Sequence, residues 1–313
     1  FSSVILAEEK QVSGLVSNDI DILNEEQIES KEEQLDNTNL ADTIEEFLPT
    51  VVTISAIKNN NYNDEYYENN TDNSKSMGSG FIISEDGFII TNNHIIDNSD
   101  KINIKLKGSE TEFPAEIIGV DEIMDIALLK LNLKIKLPFV TFNENKNQRI
   151  GDLILVAGNP YNLGTSVSTG IISGLNKNLG ITTFDNFIQT DASINKGNSG
   201  GPMFNTSGKV IGLTSAIYSP NGANVGIGFA IPSTDLLPII EELKKYGYVR
   251  RGWIGITTLN ARRDVFSALN SQLKNGVIIT KIAKDSPADK SGLKVSDVIL
   301  SYNGKKIKNS RDL

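Results

Sequence analysis

The chain has 313 residues, 39% hydrophobic and 22% charged, with a net charge of −9 and no cysteine. That length suits about two domains with tails, and the lack of cysteine excludes disulfides, Cys-ligated zinc and a thiol nucleophile while leaving the compartment open. No stretch approaches the roughly 20 apolar residues of a membrane helix, and a single histidine, His94, argues against a His-based metal site, so neither metal nor cofactor is expected.

Between Glu8 and Glu46, 13 acidic residues face only Lys10 and Lys31, a local charge of −11 that leaves the remainder about +2. There is no basic surplus to suggest a nucleic-acid partner. Phe1-Ser-Ser-Val-Ile-Leu-Ala7 reads equally as the stub of a removed signal or anchor and as plain tail, since the charged n-region is missing. Any membrane association falls to a segment preceding it. Residues 8–40 are rich in Glu, Asp, Asn and Gln and bury too little to offset ordering entropy, so 1–41 reads as an acidic, disordered leader.

From Asp42 the pattern changes. A short helix over 43–48 stopped by Pro49 precedes a strand at 51–57, and the polar stretch 58–76 reads as a long loop. Short apolar runs with turn signals between them then recur at 80–83, 87–91, 102–106, 115–120, 126–130, 153–157, 166–172, 187–190, 210–214 and 226–231. A short strand and turn fall at 203–208. Ten or more strands with almost no helical period point to an all-β barrel or sandwich. A helix capped by Ser233 or Thr234 runs to Lys245 and meets Gly247 as its C′ residue, closing a domain over 42–247. Arg250-Arg251 leads into a second domain, 251–313, with a strand at 276–282, a short helix from Ser286 and a turn at Asn303-Gly304.

Gly197-Asn-Ser-Gly-Gly201 fits the G-x-S-x-G elbow of α/β hydrolases and the GNSGG form of trypsin-like sites, and alone it reads as readily as a turn. An α/β hydrolase places its His after the Ser and a helix directly behind it. Here His94 lies upstream and Pro202 follows the glycines. The order His, Asp, Ser matches the chymotrypsin type, with Asp125 opening an apolar strand and Asp121 and Glu122 as nearby rivals. In that reading His94 takes the proton of Ser199, Asp125 holds the imidazole, and the amides about Gly197, Asn198 and Ser199 form an oxyanion hole. Activity then falls in mild acid.

On these residues the chain from about Leu48 onward resembles the HtrA/DegP family of bacterial envelope proteases. The marks are Gly78-Ser-Gly-Phe-Ile-Ile83, Thr91-Asn-Asn-His94, Asp125-Ile-Ala-Leu-Leu-Lys130, Gly151-Asp152, Gly158-Asn-Pro160, Gln189-Thr-Asp-Ala192, Gly197-Asn-Ser-Gly-Gly201 and Gly228-Phe-Ala-Ile-Pro-Ser233. The resemblance selects Asp125 over its rivals. It implies a mainly β fold, a chymotrypsin/trypsin-like double β-barrel followed by a PDZ domain, and a location in the bacterial periplasm or cell envelope. It further implies serine endopeptidase activity on unfolded or misfolded proteins, cut after small aliphatic residues, in a homotrimer or a multiple of trimers.

The positions matching the S1 lining are Ile194 and Ile217, which read otherwise as plain core isoleucines. The loop 58–77 takes the place of the family's LA regulatory loop, and 176–180 that of its sensor loop, with Lys177 where some members carry arginine. Arg251-Gly252-Trp253-Ile254-Gly255-Ile256 resembles the PDZ carboxylate-binding loop, with a core aromatic as the other reading of Trp253. Two departures stand out: the PDZ domain ends at Leu313, about 25 residues before the resemblance predicts, and Ser296 replaces the usual glycine. Two alternatives remain, a proteolytically latent chaperone-like binder and a dedicated regulatory protease sensing a peptide through its PDZ domain.

Overall fold

The computed structural model describes residues 40–58, 74–145, 147–160, 163–180, 182, 184–219, 224–260, 276–307, 309–310 and 312–313. The leader expected over 1–41 lies outside them except for Leu40 and Ala41, and so do residues 59–73 of the expected regulatory loop. The first described element, α1 (Leu40–Phe47), begins three residues before the predicted helix. A 3-10 turn, Leu48–Thr50, carries Pro49 in the first positions, where its missing N–H costs nothing.

Twelve strands then form two closed six-stranded barrels. The first holds β1 (Val51–Lys58), β2 (Ser74–Ile82), β3 (Phe88–Thr91), β4 (Lys101–Leu106), β5 (Glu112–Asp121) and β6 (Ile126–Leu131), in the order β1-β2-β3-β6-β5-β4. The second holds β7 (Leu153–Gly158), β8 (Ser166–Lys177), β9 (Phe187–Thr190), β10 (Pro202–Asn205), β11 (Val210–Ile217) and β12 (Gly228–Pro232), in the order β10-β11-β12-β9-β8-β7. The two orders are the same pattern. Closure removes the sheet edges that would otherwise pair with other chains.

Apolar alternation fills each barrel. Ile54, Ile82, Ile89, Ile104 and Leu129 are fully buried in the first, and Ile154, Ile172 and Met203 in the second. Outside the second barrel Phe47 stacks on Phe204, ring centroids 3.8 Å apart. Two strands run further than the apolar pattern predicted. β2 starts at Ser74, inside the expected loop, because it pairs with β1 along its whole length as far as Lys58↔Ser74. β8 continues from Ile172 to Lys177 by pairing with β9 through two register shifts, which takes Asn176 and Lys177 into a strand.

A short helix α2 (Asn93–Ile96) follows β3 directly. The long helix α3 (Ser233–Tyr246) closes the second barrel, burying Leu236, Ile239, Ile240 and Leu243. Its N-cap is Pro232 without a side-chain cap bond, one residue before the prediction, because the Ser233 hydroxyl donates instead to Asn143 O at 2.6 Å. Gly247 ends the helix in the left-handed conformation with its N–H on Leu243 O, as expected of a C′ glycine. There the chain crosses β5 so closely that a Cβ on Gly119 would sit 2.3 Å from Gly247 O.

The C-terminal region has a three-stranded sheet of β13 (Ile256–Asn260), β14 (Val277–Ile282) and β15 (Val298–Ile299) in that order, and a hairpin of β16 (Ser301–Tyr302) and β17 (Lys305–Lys306). Helix α4 (Pro287–Lys290) starts where predicted, the Ser286 hydroxyl accepting from Asp289 N–H. Val277, Ile279 and Ala288 are buried. Ser296, at the position of the expected glycine, adopts a φ of +79°.

The Gly119 crossing yields a stability test. Gly119→Ala forces backbone against backbone, which no rotamer relieves, and should lower unfolding free energy by about 2–3 kcal/mol, read as a lower urea midpoint at unchanged m-value.

Candidate active site

His94 and Asp125, 31 residues apart, meet because β3 and β6 are neighbours. Thr91 pairs with Ala127, so the residues just after β3 lie against those just before β6. Asp125 sits in the left-handed region at φ +56°, unusual for a side chain with a Cβ. That bend lets its carbonyl accept from Asn93 N–H (3.2 Å) and Asn92 Nδ2 (2.9 Å) while its carboxylate faces His94. Oδ1 accepts the His94 backbone N–H at 2.8 Å, and Oδ2 lies 2.7 Å from His94 Nδ1. The imidazole is thereby fixed in both position and tautomer, with Nε2 left outward. The Ser215 hydroxyl donates to the same Oδ2 at 3.4 Å and accepts from Asn92 Nδ2 at 3.3 Å.

Ser199 follows a tight turn. Asn198 N–H donates to Asn195 O at 3.0 Å, and Gly197, the third residue of that turn, has φ +104°. A positive φ there defines a type II turn, and a side chain at Gly197 would oppose it. Neither the Gly197 nor the Ser199 amide has an acceptor among the described residues. The two N–H groups on either side of Asn198 are therefore open to an incoming oxygen, while Asn198 itself is buried with its N–H committed to the turn. Ser199 Oγ donates to Ser215 O at 3.4 Å and makes no hydrogen bond to His94. The structure thus couples His94 to Asp125 and turns the Ser199 hydroxyl to β11, where Ser215 contacts both Ser199 and Asp125.

Sequence reasoning missed Ser79. It is fully buried on β2, in the first barrel, yet its N–H donates to Ser199 O (2.9 Å) and its hydroxyl to Gly197 O (2.6 Å). The same hydroxyl accepts Asn159 N–H (2.8 Å), and Thr91 Oγ1 donates to its carbonyl (2.7 Å). The only sequence signal was its place in Gly78-Ser-Gly. Ser215 was missed as well, since it lies at a bulge in β11 between Thr214 and Ala216 that no apolar pattern marks.

Around this centre a cavity of about 400 Å³ opens beside His94, with Met124, Phe187, Ala216 and Ile231 among its lining and the carboxylates of Asp97 and Glu122 on it. The β10 side of β11 is paired as far as Thr214, through Gly200 N–H on Thr214 O and Thr214 N–H on Gly201 O, and, among the described residues, 215–217 have an unpaired edge on that side. Ile194 is 2% exposed and belongs to the second barrel's core, with Ile217 packed partly buried against the same cluster. The stem of Lys177 folds over Gly174 of its own strand. Among the described residues no cluster of His, Asp and Glu could hold a metal ion.

The rival carboxylate Asp121 has another task. It is 3% exposed, forms a two-pronged ion pair with Arg251 and accepts Ile123 N–H at 3.2 Å. Arg251 also lies over the Phe184 ring, 5.0 Å from its centroid. Glu122, the other rival, is exposed on the cavity lining. The loop after Arg251 is held by Ala288 N–H on Ile254 O and Ala283 N–H on Gly255 O. Trp253 is 66% exposed, so it is no core aromatic. Earlier in the chain, Glu242 grips Arg250 at 2.8 Å through both oxygens, which holds the glutamate below the usual carboxylate range.

Residues 78–213 match the family profile of the trypsin-like peptidase domain, and 252–313 that of the PDZ domain. A probable periplasmic serine endoprotease, DegP-like, from Rickettsia conorii is 41% identical over 344 aligned positions, covering all of this chain and 67% of that protein. A protein of the same name from Brucella suis is 43% identical over 239 positions, 76% of this chain and 46% of the relative. Among solved structures, the HtrA-type protease AlgW with a tripeptide superimposes with a TM-score of 0.78 at 34% identity, over 88% of this chain and 86% of that one. A serine endoprotease from Yersinia pestis gives 0.65 at 34%, over 87% and 85%.

If Ser79 holds the 195–199 turn in shape, Ser79→Ala removes two hydrogen bonds from a buried site and frees Gly197 O. We expect kcat on an unfolded protein substrate to fall about tenfold, an effect of roughly 1.4 kcal/mol, with KM nearly unchanged. A change confined to KM would contradict that role.

Proposed function

The chain belongs to the DegP/HtrA serine endoproteases, and from that premise we propose that Ser199 is the nucleophile, His94 its general base and Asp125 the group that orients and charge-balances the imidazole. The carrying observation is the double seating of the chain's one histidine on Asp125, at 2.8 and 2.7 Å, beside a glycine-turned serine. With Nδ1 engaged, Nε2 is the free basic nitrogen. It takes the Ser199 proton as Oγ attacks a peptide carbonyl and returns it to the leaving amine. The developing oxyanion meets the Gly197 and Ser199 amides, each such donor contributing roughly 3–4 kcal/mol to the barrier reduction. Asn198, between them, holds the turn by its buried N–H.

The substrate we infer is an extended segment of an unfolded or misfolded protein. Its acyl half adds as a strand along the open edge of residues 215–217. Side chains of an added strand alternate, so one points to Ile217, with the buried Ile194 as the floor of a shallow apolar S1 that suits small aliphatic residues, and the next enters the cavity beside His94. Residues 42–247 form the peptidase domain in this reading and 251–313 the PDZ domain. Residues 251–256 there present successive amides to a peptide carboxylate, and Lys177 on the sensor segment stands between the two domains' functions as the regulatory residue. The location is the bacterial periplasm or cell envelope and the assembly a homotrimer or multiple of trimers, both argued from relatives named periplasmic and from family membership.

A second reading, a latent state that holds unfolded chains without cutting, is favoured by one observation: Ser199 Oγ is bonded to Ser215 O and not to His94. The two are separated by digestion of an unfolded, reduced protein at mildly acid and mildly alkaline pH, with Ser199→Ala in parallel. The protease reading predicts cleavage that weakens in acid and falls about 10⁶-fold in Ser199→Ala, with a fluorophosphonate labelling Ser199 alone. Cleavage that survives in Ser199→Ala would remove Ser199 from the mechanism. Suppressed aggregation without cutting or labelling would favour the latent state.

A further inference from the structure

A second cavity, about 550 Å³, borders the nucleophile turn at Lys196 and Gly197 and reaches the ends of β1 and β2. Among the described residues its lining carries the opposite charge to that of the cavity beside His94. Lys58, Lys75 and Lys196 line it, and among the described lining residues they face one carboxylate, Asp97, which is itself held by Asn98 Nδ2 at 2.6 Å. The β1–β2 register places Lys58 opposite Ser74 and Ile57 opposite Lys75, so both lysines stand at the same end of the hairpin. Lys196 is adjacent in sequence to one of the two open amides. Among the described residues Lys58 and Lys196 have no ion-pair partner, and Lys75 has only Glu112 at 3.9 Å with both groups well exposed. By contrast the cavity beside His94 carries Asp97, Glu122, Asp125 and Asp185 and no lysine or arginine.

This arrangement has a direction. An acyl half paired along residues 215–217 places its carbonyl oxygen at the Gly197 and Ser199 amides, so the chain beyond the scissile bond leaves past Lys196 and away from β11. That path runs into the basic cavity. We propose that the cavity is a subsite for acidic side chains among the first three or so residues after the scissile bond, each residue of extended chain spanning about 3.3 Å. It rests on Ser199 being the nucleophile. Exposed lysines give modest binding each, but three cations facing one carboxylate among the described lining residues bias both encounter and affinity toward an anionic segment, and that bias is screened by salt.

The test uses two fluorogenic peptides of identical sequence except for Asp or Asn at the second and third positions after the cleaved bond. With the native chain, the Asp peptide should show a kcat/KM about three- to tenfold higher at low salt, shrinking toward parity at about 0.5 M salt. In the triple variant Lys58→Gln, Lys75→Gln, Lys196→Gln the two peptides should be equal. Fluorescence anisotropy with Ser199→Ala gives a second readout that needs no cleavage, in which the Asp peptide should bind tighter by a similar factor. Equal kcat/KM and equal binding for the two peptides would overturn the subsite. If the Asp peptide binds tighter yet neither peptide is cut by the native chain, the cavity's preference for acidic chains stands, while the protease reading that makes it a subsite gives way to the latent one.

Discussion

The constraint on which the rest of the site depends is the set of bonds made by Ser79. His94 and Asp125 are supplied by the first barrel and Ser199 by the second, and two closed barrels have no shared sheet to fix their relative position. Ser79 spans that gap from β2, holding the carbonyls of both Gly197 and Ser199 while Asn159, at the end of β7, donates back to it. The bonds of the Ser79 hydroxyl to Gly197 and Asn159 are buried. In such a setting an unmade hydrogen bond costs about 1–3 kcal/mol, so the turn, the strand and the Asn159 segment are correct together or penalised together. Thr91 ties the same residue to β3, whose next turn carries His94. The two halves of the proposed proton relay therefore share one anchor.

Asp121 does comparable work on the other side of Asp125. A buried carboxylate is costly unless paired and hydrogen-bonded, and here Arg251 and the Ile123 amide meet both needs. Two consequences follow. The tight turn leading to Asp125 is pinned at its first residue, which supports the left-handed backbone that aims the Asp125 carboxylate at His94. The chain entering the C-terminal region is also fixed at Arg251, one residue before the PDZ match begins. Gly119 makes that fixing feasible, since only a residue without a side chain lets Gly247 pass β5 at such range.

How far this could be read from the residues depended on whether a signal was local. The strands announced themselves, because short apolar runs between turn residues are how buried strands look in sequence; so did α4 with Ser286, and the Asn303-Gly304 turn, which joins β16 to β17. His94, Asp125 and Gly197-Asn-Ser-Gly-Gly201 were visible as residue types in a known order. Polar extensions were not, since β2 before Met77 and the end of β8 are held by register with a neighbouring strand and carry no apolar pattern of their own. Ser79 and Ser215 were invisible for a related reason: one hydroxyl among many is distinguished only by what the fold brings within 3 Å. Ser296 shows the converse. Its substitution for glycine was legible, and its φ of +79° supplies the physical reason a glycine is expected there.

The distance between the observed arrangement and a reacting one is small. Asp125 already holds Nδ1 of His94, so the imidazole needs no tautomer change to serve as the proposed base. What differs is the Ser199 hydroxyl, engaged at 3.4 Å with Ser215 O. That contact is at the long limit of a hydrogen bond, and even a normal one contributes only about 0.5–1.5 kcal/mol net. Ser215 O also lies on the open edge of residues 215–217, where an added substrate strand would compete for that same acceptor. Binding of substrate then removes the partner that holds Ser199 away, and it covers a His94 side chain that is 51% exposed. Fewer waters then compete for Nε2 as the proposed acceptor of the hydroxyl's proton. If substrate adds along β11 as proposed, that addition completes the relay, and capture of an extended chain and readiness for attack become one event.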